Sequence, residues 1–166
     1  MTCGEEFRTD MRRTSIFCVA AVLLLGVGSC GIKRQITTRT RALFGGEVEL
    51  RVRVAPNANL NNPIAVEVLL VYDDVLLEML AATNANMWFM NRSQFRQDYP
   101  EGFDAWYWEW VPGQEVLPEK LPLKAKAKAI LVFANYVVGG DHRARLDSVK
   151  SATLVFGERS FAATQD

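Results

Sequence analysis

The sequence predicts a mainly β protein, a β-sandwich of about six to eight strands with a short helical insertion. Residues 47–54 alternate strictly between apolar and charged side chains, and further apolar stretches occur at 64–72 and 130–138. Strict alternation buries one face of a strand and leaves the other wet, which is typical of an antiparallel sheet. Turns rich in glycine, proline and asparagine separate these stretches.

Residues 1–29 are typical of a bacterial lipoprotein signal peptide. An apolar run from Ile16 to Val27 is followed by small residues and then Cys30. This run of about a dozen residues is shorter than the roughly 20 that a membrane-spanning anchor, the alternative interpretation, would need. We expect cleavage before Cys30 and acylation of its sulfur. We also expect translation to begin at Met11, because acidic residues precede it and a basic pair follows it.

The remaining chain has the size of one domain. We expect residues 30–46 to be the lipidated N-terminus and a flexible tether, and residues 47–166 to be the sandwich domain. The 19 basic and 19 acidic residues balance, which does not favour nucleic acid as a partner. The other two cysteines precede Cys30, so no disulfide is expected in the mature chain.

The strand at 47–54 leads into a loop at 55–63 that contains two prolines and four asparagines. Its one leucine, Leu60, has no neighbouring apolar run into which to pack. The strand that follows, 64–72, is apolar on both faces in its later half, so its outer face needs a cover. We expect this cover to be a helical pair, in which Asp73 or Asp74 caps the first helix and the second spans about 87–97.

The next strand, 105–111, places three tryptophans on one face, and a Pro-Gly turn follows it. A row of aromatic rings can stack on the apolar faces of sugars, which suggests a lipid-anchored glycan-binding module as an alternative function. The competing explanation is that these side chains form the core or pack beneath the helical pair. The residues are Trp106, Trp108 and Trp110.

Four segments complete the chain. Residues 116–123 contain two prolines and are expected to be an edge strand or a loop. We expect residues 124–138 to form one strand, with a wet, lysine-rich beginning and a buried end. Residues 142–146 are expected to be a charged excursion, and the stretches at 152–156 and 160–163 a closing hairpin.

The sequence offers no catalytic constellation, so we expect a binding or scaffolding protein without a metal or a cofactor other than the lipid on Cys30. The one histidine, His142, lies in a polar stretch and is expected in a solvated loop. Cysteine nucleophiles and thiolate metal sites are excluded from the mature chain. Asp73 and Asp74 are adjacent and point apart, which suits a helix cap better than an acid–base pair.

The order of these features resembles the TssJ (SciN-like) outer-membrane lipoproteins of type VI secretion systems. The similarity lies in the lipobox at Cys30, in VRVAPNANLNNPIAVEVLLVYD with its asparagine-rich loop, and in the helical insertion after it. The VPGQ turn and KAILVFANYVVGGDHRARLDSV are also similar to the family. The chain departs from the family at Leu146, where a tryptophan is usual, and in its unusually aromatic WYWEW.

The resemblance implies a transthyretin-like β-sandwich anchored to the periplasmic face of the outer membrane. It also implies a place in the secretion membrane complex, a hetero-oligomer, through binding of the periplasmic domain of a TssM-like inner-membrane protein. In the family, the loop between the first two strands makes this contact, and Leu60 is the residue expected to dock in an apolar pocket. In this sequence the loop consists of Pro56, Asn57, Ala58, Asn59, Leu60, Asn61 and Asn62.

Overall fold

The computed structural model describes residues 46–147 and 150–165. Within them eight strands and two α-helices form a β-sandwich, which confirms the predicted fold class. In chain order they are β1 (Gly46–Val54), β2 (Ile64–Val71), α1 (Asp74–Ala81), α2 (Ala85–Asp98), β3 (Phe103–Trp110), β4 (Glu119–Leu123), β5 (Ala129–Asn135), β6 (Arg143–Leu146), β7 (Ser151–Phe156) and β8 (Phe161–Gln165). No helix in this part of the chain is both long and apolar enough to cross a membrane.

The strands form two four-stranded sheets. The first has the order β4-β1-β7-β8, and the second has the order β3-β2-β5-β6. The pairing of β1 with β7 is parallel, with Glu49 opposite Ser151 and Val54 opposite Phe156, whereas the other described pairs are antiparallel. The strands β3 and β4 therefore lie at the edges of their sheets, and β4 confirms the edge strand predicted within 116–123.

The core between the sheets follows from the alternation in the sequence. Val48, Leu50, Val52 and Val54 of β1 are all buried, while Arg51 and Arg53 between them are exposed. Each fully buried aliphatic side chain contributes about 1.5–3 kcal/mol relative to its exposed state. Alternate residues of β2, β5 and β7 meet them from the same interior.

The helical pair covers the outer face of the second sheet, as the two-sided apolar pattern of β2 predicts. The Asp73 carboxylate caps α1 by accepting a hydrogen bond from the Leu76 amide at 2.8 Å. Asn84 caps α2 in the same way, through the Met87 amide at 2.9 Å. A second core cluster lies beneath the helices and includes Leu69, Val71, Leu76, Leu80, Trp88, Leu131 and Phe133.

Three sequence predictions need correction. Residues 124–138 do not form one strand, because β5 begins at Ala129 and the lysines before it lie in a turn. Tertiary ion pairs hold this turn: Lys124 contacts Asp104 at 2.6 Å, and Lys128 contacts Asp74 at 2.8 Å. Residues 143–146 are not an excursion but the strand β6, which pairs with β5. The second helix begins at Ala85 rather than at 87, because Asn84 caps it.

Candidate functional site

Four turns meet at one end of the sandwich and form the candidate site. They are the β1–β2 loop (55–63), the turn after β3 (111–114), the β5–β6 loop (136–142) and the β7–β8 turn (157–160). The Gly113 amide donates to the carbonyl of Ala55 at 3.1 Å, which ties the second turn to the first. Gly113 has a φ of 74°, a conformation that glycine adopts without steric cost.

The backbone of the β1–β2 loop has an unusual conformation. Asn59, Leu60 and Asn61 have φ values of 48°, 53° and 63°, three successive residues in the left-handed region. Asparagine tolerates this region, but for leucine it costs roughly 1–2 kcal/mol. Such strain persists only where the surrounding structure fixes the backbone, and it is found preferentially at functional sites.

The side chain of Asn59 fixes this backbone from within. Asn59 is 1% exposed, so its side-chain amide must find hydrogen-bond partners inside the protein. The Oδ1 atom accepts a hydrogen bond from the Val137 amide at 2.7 Å, and Nδ2 donates to the carbonyl of Pro63 at 2.8 Å. Asn59 therefore joins the β1–β2 loop to the β5–β6 loop and closes the turn on itself.

The β7–β8 turn supports the same loop from another side. The amides of Asn59 and Leu60 donate to the carbonyls of Gly157 and Glu158, each at 3.1 Å. The Asn57 side chain donates to the Glu158 carboxylate at 3.0 Å. These bonds span about a hundred residues of sequence, so the loop conformation depends on the complete fold.

The result is a rigid loop with an apolar tip. Ala58 and Asn59 are buried and shape the loop, while the five other predicted contact residues are exposed: Pro56, Asn57, Leu60, Asn61 and Asn62. Leu60 is 38% exposed, as its lack of apolar neighbours in the sequence predicts. Val111 and Val137, at 51% and 60%, are exposed on adjoining turns of the same end. The local sequence pattern does not predict these two exposed valines.

An aromatic pair lies under the β5–β6 loop. The Tyr136 hydroxyl donates to the carbonyl of Gly157 at 3.2 Å, and burial raises the pKa of this tyrosine above its ordinary value. Its ring stacks on His142 with the centroids 4.7 Å apart. His142 Nε2 lies 2.9 Å from the carbonyl of Val138, and because a carbonyl only accepts, this nitrogen carries the proton. His142 is thus a partly buried structural residue rather than a solvated one.

The three tryptophans of β3 face the core between the sheets. Trp110 is 3% exposed and packs against Phe156, so it cannot stack on a sugar ring. Trp106 and Trp108 are partly buried against the same core. Of the two structural explanations, packing in the core is therefore confirmed, and packing beneath the helical pair is wrong.

A buried carboxylate on β2 was not predicted from the sequence. Glu67 is fully buried and faces α2. Its Oε2 atom accepts hydrogen bonds from Trp88 Nε1 at 3.0 Å and from Arg92 at 3.1 Å, and its Oε1 atom pairs with Arg96. The four-residue spacing of the two arginines on one helical face was the available signal. The cluster fixes α2 on the sheet and lies apart from the candidate site.

The described residues contain no group of three or more side chains of the kind that could hold a metal ion. Cys30, the predicted lipidation site, lies outside the described residues, as do the predicted signal peptide and nearly all of the tether.

Comparison with solved structures identifies the fold. The chain is similar to the type VI secretion lipoprotein TssJ1 from Pseudomonas aeruginosa, with a TM-score of 0.60 and 13% identity over 74% of this chain and 97% of that one. It is also similar to Lip from Serratia marcescens, a membrane-bound component of the type VI secretion system, with a TM-score of 0.57 and 18% identity over 74% and 99% of the two chains.

A third likeness is to a chain in the structure of the TssM C-terminal domain from the type VI system of EAEC. The TM-score is 0.54 and the identity is 12%, over 74% of this chain and 98% of that one. No protein-family model matches the sequence, and no curated protein matches it. The shared fold confirms the architecture that the resemblance to TssJ lipoproteins implied.

Proposed function

We propose, starting from the fold shared with TssJ and Lip, that this chain is a lipid-anchored protein on the periplasmic face of the outer membrane. In this proposal it binds the periplasmic domain of a TssM-like inner-membrane protein and thereby tethers a type VI secretion membrane complex. Its support is the similarity to type VI lipoproteins and to a chain in a TssM C-terminal domain structure.

The observation that carries the proposal is the rigid apolar tip of the β1–β2 loop. A flexible loop would lose about 1–2 kcal/mol of backbone entropy per residue on becoming ordered by a partner. The hydrogen bonds to Val137, Gly157 and Glu158 order the loop during folding, so this entropy is not lost on binding. Contacts made by Leu60 therefore contribute directly to affinity. An exposed leucine held in a strained conformation suits docking into an apolar pocket.

The test is the substitution Leu60→Asp, with binding measured by calorimetry against the purified periplasmic domain of the TssM-like protein from the same organism. Burying the exposed 38% of the side chain is worth about 0.6–1 kcal/mol by area. An aspartate would in addition be desolvated on docking. We expect affinity to fall at least tenfold.

The matched control is Met79→Asp on α1, where the apolar side chain is 40% exposed. We expect this variant to bind as wild type. Both variants should keep the wild-type melting temperature within a few degrees, because both positions are exposed. Equal binding by wild type and Leu60→Asp would refute the role of the loop.

The anchor is tested separately with Cys30→Ala, by labelled palmitate uptake and membrane fractionation. We expect the variant to take up no palmitate and to leave the outer-membrane fraction, since each buried methylene contributes about 0.8 kcal/mol to anchoring. Persistent palmitate labelling with unchanged fractionation would contradict the lipid anchor and leave the loop proposal standing.

A further inference from the structure

The outer edge of β3 carries backbone groups that have no partner among the described residues. The Tyr72 amide donates to the carbonyl of Gly102 at 2.9 Å, which sets the register of the β2–β3 ladder. Because antiparallel pairs alternate, the amides and carbonyls of Trp106 and Trp108 point toward β2. Those of Phe103, Ala105, Tyr107 and Glu109 consequently point outward, away from the sheet.

This edge differs from the neighbouring edge formed by β4. The strand β4 has five residues and is protected against strand addition by Lys120 and Pro122. The strand β3 has eight residues and contains no proline, glycine or basic residue. A long, regular edge of this kind is a template for another strand.

Aromatic side chains flank the edge on both faces. Tyr107 is 46% exposed on the outer face, and Trp106 and Trp108 remain partly exposed on the inner face. An added strand would place its alternate side chains beside these rings. It would cover the open side of the sandwich between β3 and β4, where Trp106 approaches Leu121.

The charge around the edge defines the partner. Glu109 on β3 and Glu101 just before the strand are both exposed. Lys124 neutralises Asp104, whereas Glu101 and Glu109 are in no described ion pair. The nearby Arg96 lines the same surface as Ala105 and Trp106, and Arg92 lies 5.0 Å from the Tyr107 ring centroid, but both arginines are engaged by the buried Glu67.

We propose that the outer edge of β3 receives an extended, basic segment of a partner protein, which adds to the second sheet as a fifth strand. Outward amides and carbonyls give the main-chain hydrogen bonds, Trp106 and Trp108 on the inner face accept alternate apolar side chains, and Glu109 on the outer face pairs with the basic residues between them. A second copy of this chain is disfavoured, because two acidic edges would repel each other. This surface is separate from the β1–β2 loop and does not depend on the proposed function.

The probe is the synthetic peptide acetyl-Thr-Lys-Val-Lys-Val-Lys-Thr-amide, added to the purified protein. We expect saturable binding, together with slower hydrogen exchange at the amides of Ala105, Tyr107 and Glu109. The same peptide with glutamate in place of lysine should bind at least tenfold more weakly. Absence of binding, or binding without protection of these amides, would overturn the proposal.

The variant Ala105→Pro removes one outward donor without removing a β2–β3 hydrogen bond, and Ala105→Thr is its matched control. We expect at least tenfold weaker peptide binding for the proline variant and wild-type binding for the control. Should the proline variant fail to fold, Glu109→Lys serves instead, with an expected loss of at least threefold. Undiminished binding by the variant used, or a β3-dependent dimer in sedimentation of the free protein, would refute a basic partner strand.

Discussion

The buried amide of Asn59 provides the sharpest test of how the candidate site is held together. In Asn59→Ala, the hydrogen bonds to the Val137 amide and to the Pro63 carbonyl are both lost. Each is worth about 1 kcal/mol net. Alanine also tolerates a φ of 48° less well than asparagine, which adds about 1 kcal/mol. The expected loss in the free energy of unfolding is about 3 kcal/mol.

Asn61→Ala is the matched control for the backbone. Asn61 has a φ of 63° and is exposed, so this change removes only the conformational preference of asparagine. We expect a loss of about 1 kcal/mol. The difference between the two variants, about 2 kcal/mol, isolates the two buried hydrogen bonds.

The assay is urea denaturation of all three proteins, combined with native-state hydrogen exchange at the Val137 amide. We expect this amide to lose its protection in Asn59→Ala and to keep it in Asn61→Ala. If the two variants unfold with equal free energies and the Val137 amide stays protected in both, the loop is not held by Asn59, and our account of its rigidity is wrong.

Two further predictions concern charged groups away from the loop. Glu67→Gln should lower the free energy of unfolding by about 1–2 kcal/mol in denaturant titration, because Arg92 and Arg96 lose a buried counter-ion but can turn toward water. Burial acts to raise the pKa of Asp104, but hydrogen bonds from Lys124 and Tyr72 outweigh burial and lower this pKa below its ordinary value of 3.8. The resulting stabilisation of the fold is fully present above the ordinary pKa of 3.8 and is lost as the pH falls through the lowered pKa. Asp104→Asn should therefore flatten the decline of stability below about pH 4, and an unchanged slope would contradict this pairing.

The local sequence pattern was sufficient to predict the structure where one physical effect dominates. The alternation in β1 predicted its buried face, because a strand with period 2 has only one way to bury four aliphatic side chains. The two-sided apolar end of β2 predicted the helical cover, since Leu69 and Val71 cannot remain exposed. Leu60 was predicted to be exposed because no apolar run adjoins it in the sequence.

The local sequence pattern did not predict the structure where residues distant in sequence determine it. Residues 124–128 alternate lysine and alanine like an amphipathic strand, but alanine buries little surface, and Lys124 and Lys128 pair with Asp104 and Asp74. Asn59 looked like an exposed turn residue, and only the approach of Val137 and Gly157 in the fold makes it buried. The partners of Glu67 likewise lie more than twenty residues along the chain.

The parallel pairing of β1 with β7 has a consequence for biogenesis. The two strands lie about 100 residues apart in sequence, so the centre of the first sheet closes only when most of the chain is present. During synthesis, β1 is made before β7, and its apolar face stays uncovered until β7 is present. The loop that β1 leads into also requires the β7–β8 turn, so the candidate site takes its conformation only after β7 and β8 are present. A truncation that removes β7 and β8 should yield an aggregation-prone chain that chaperones and proteases engage, rather than a smaller folded domain.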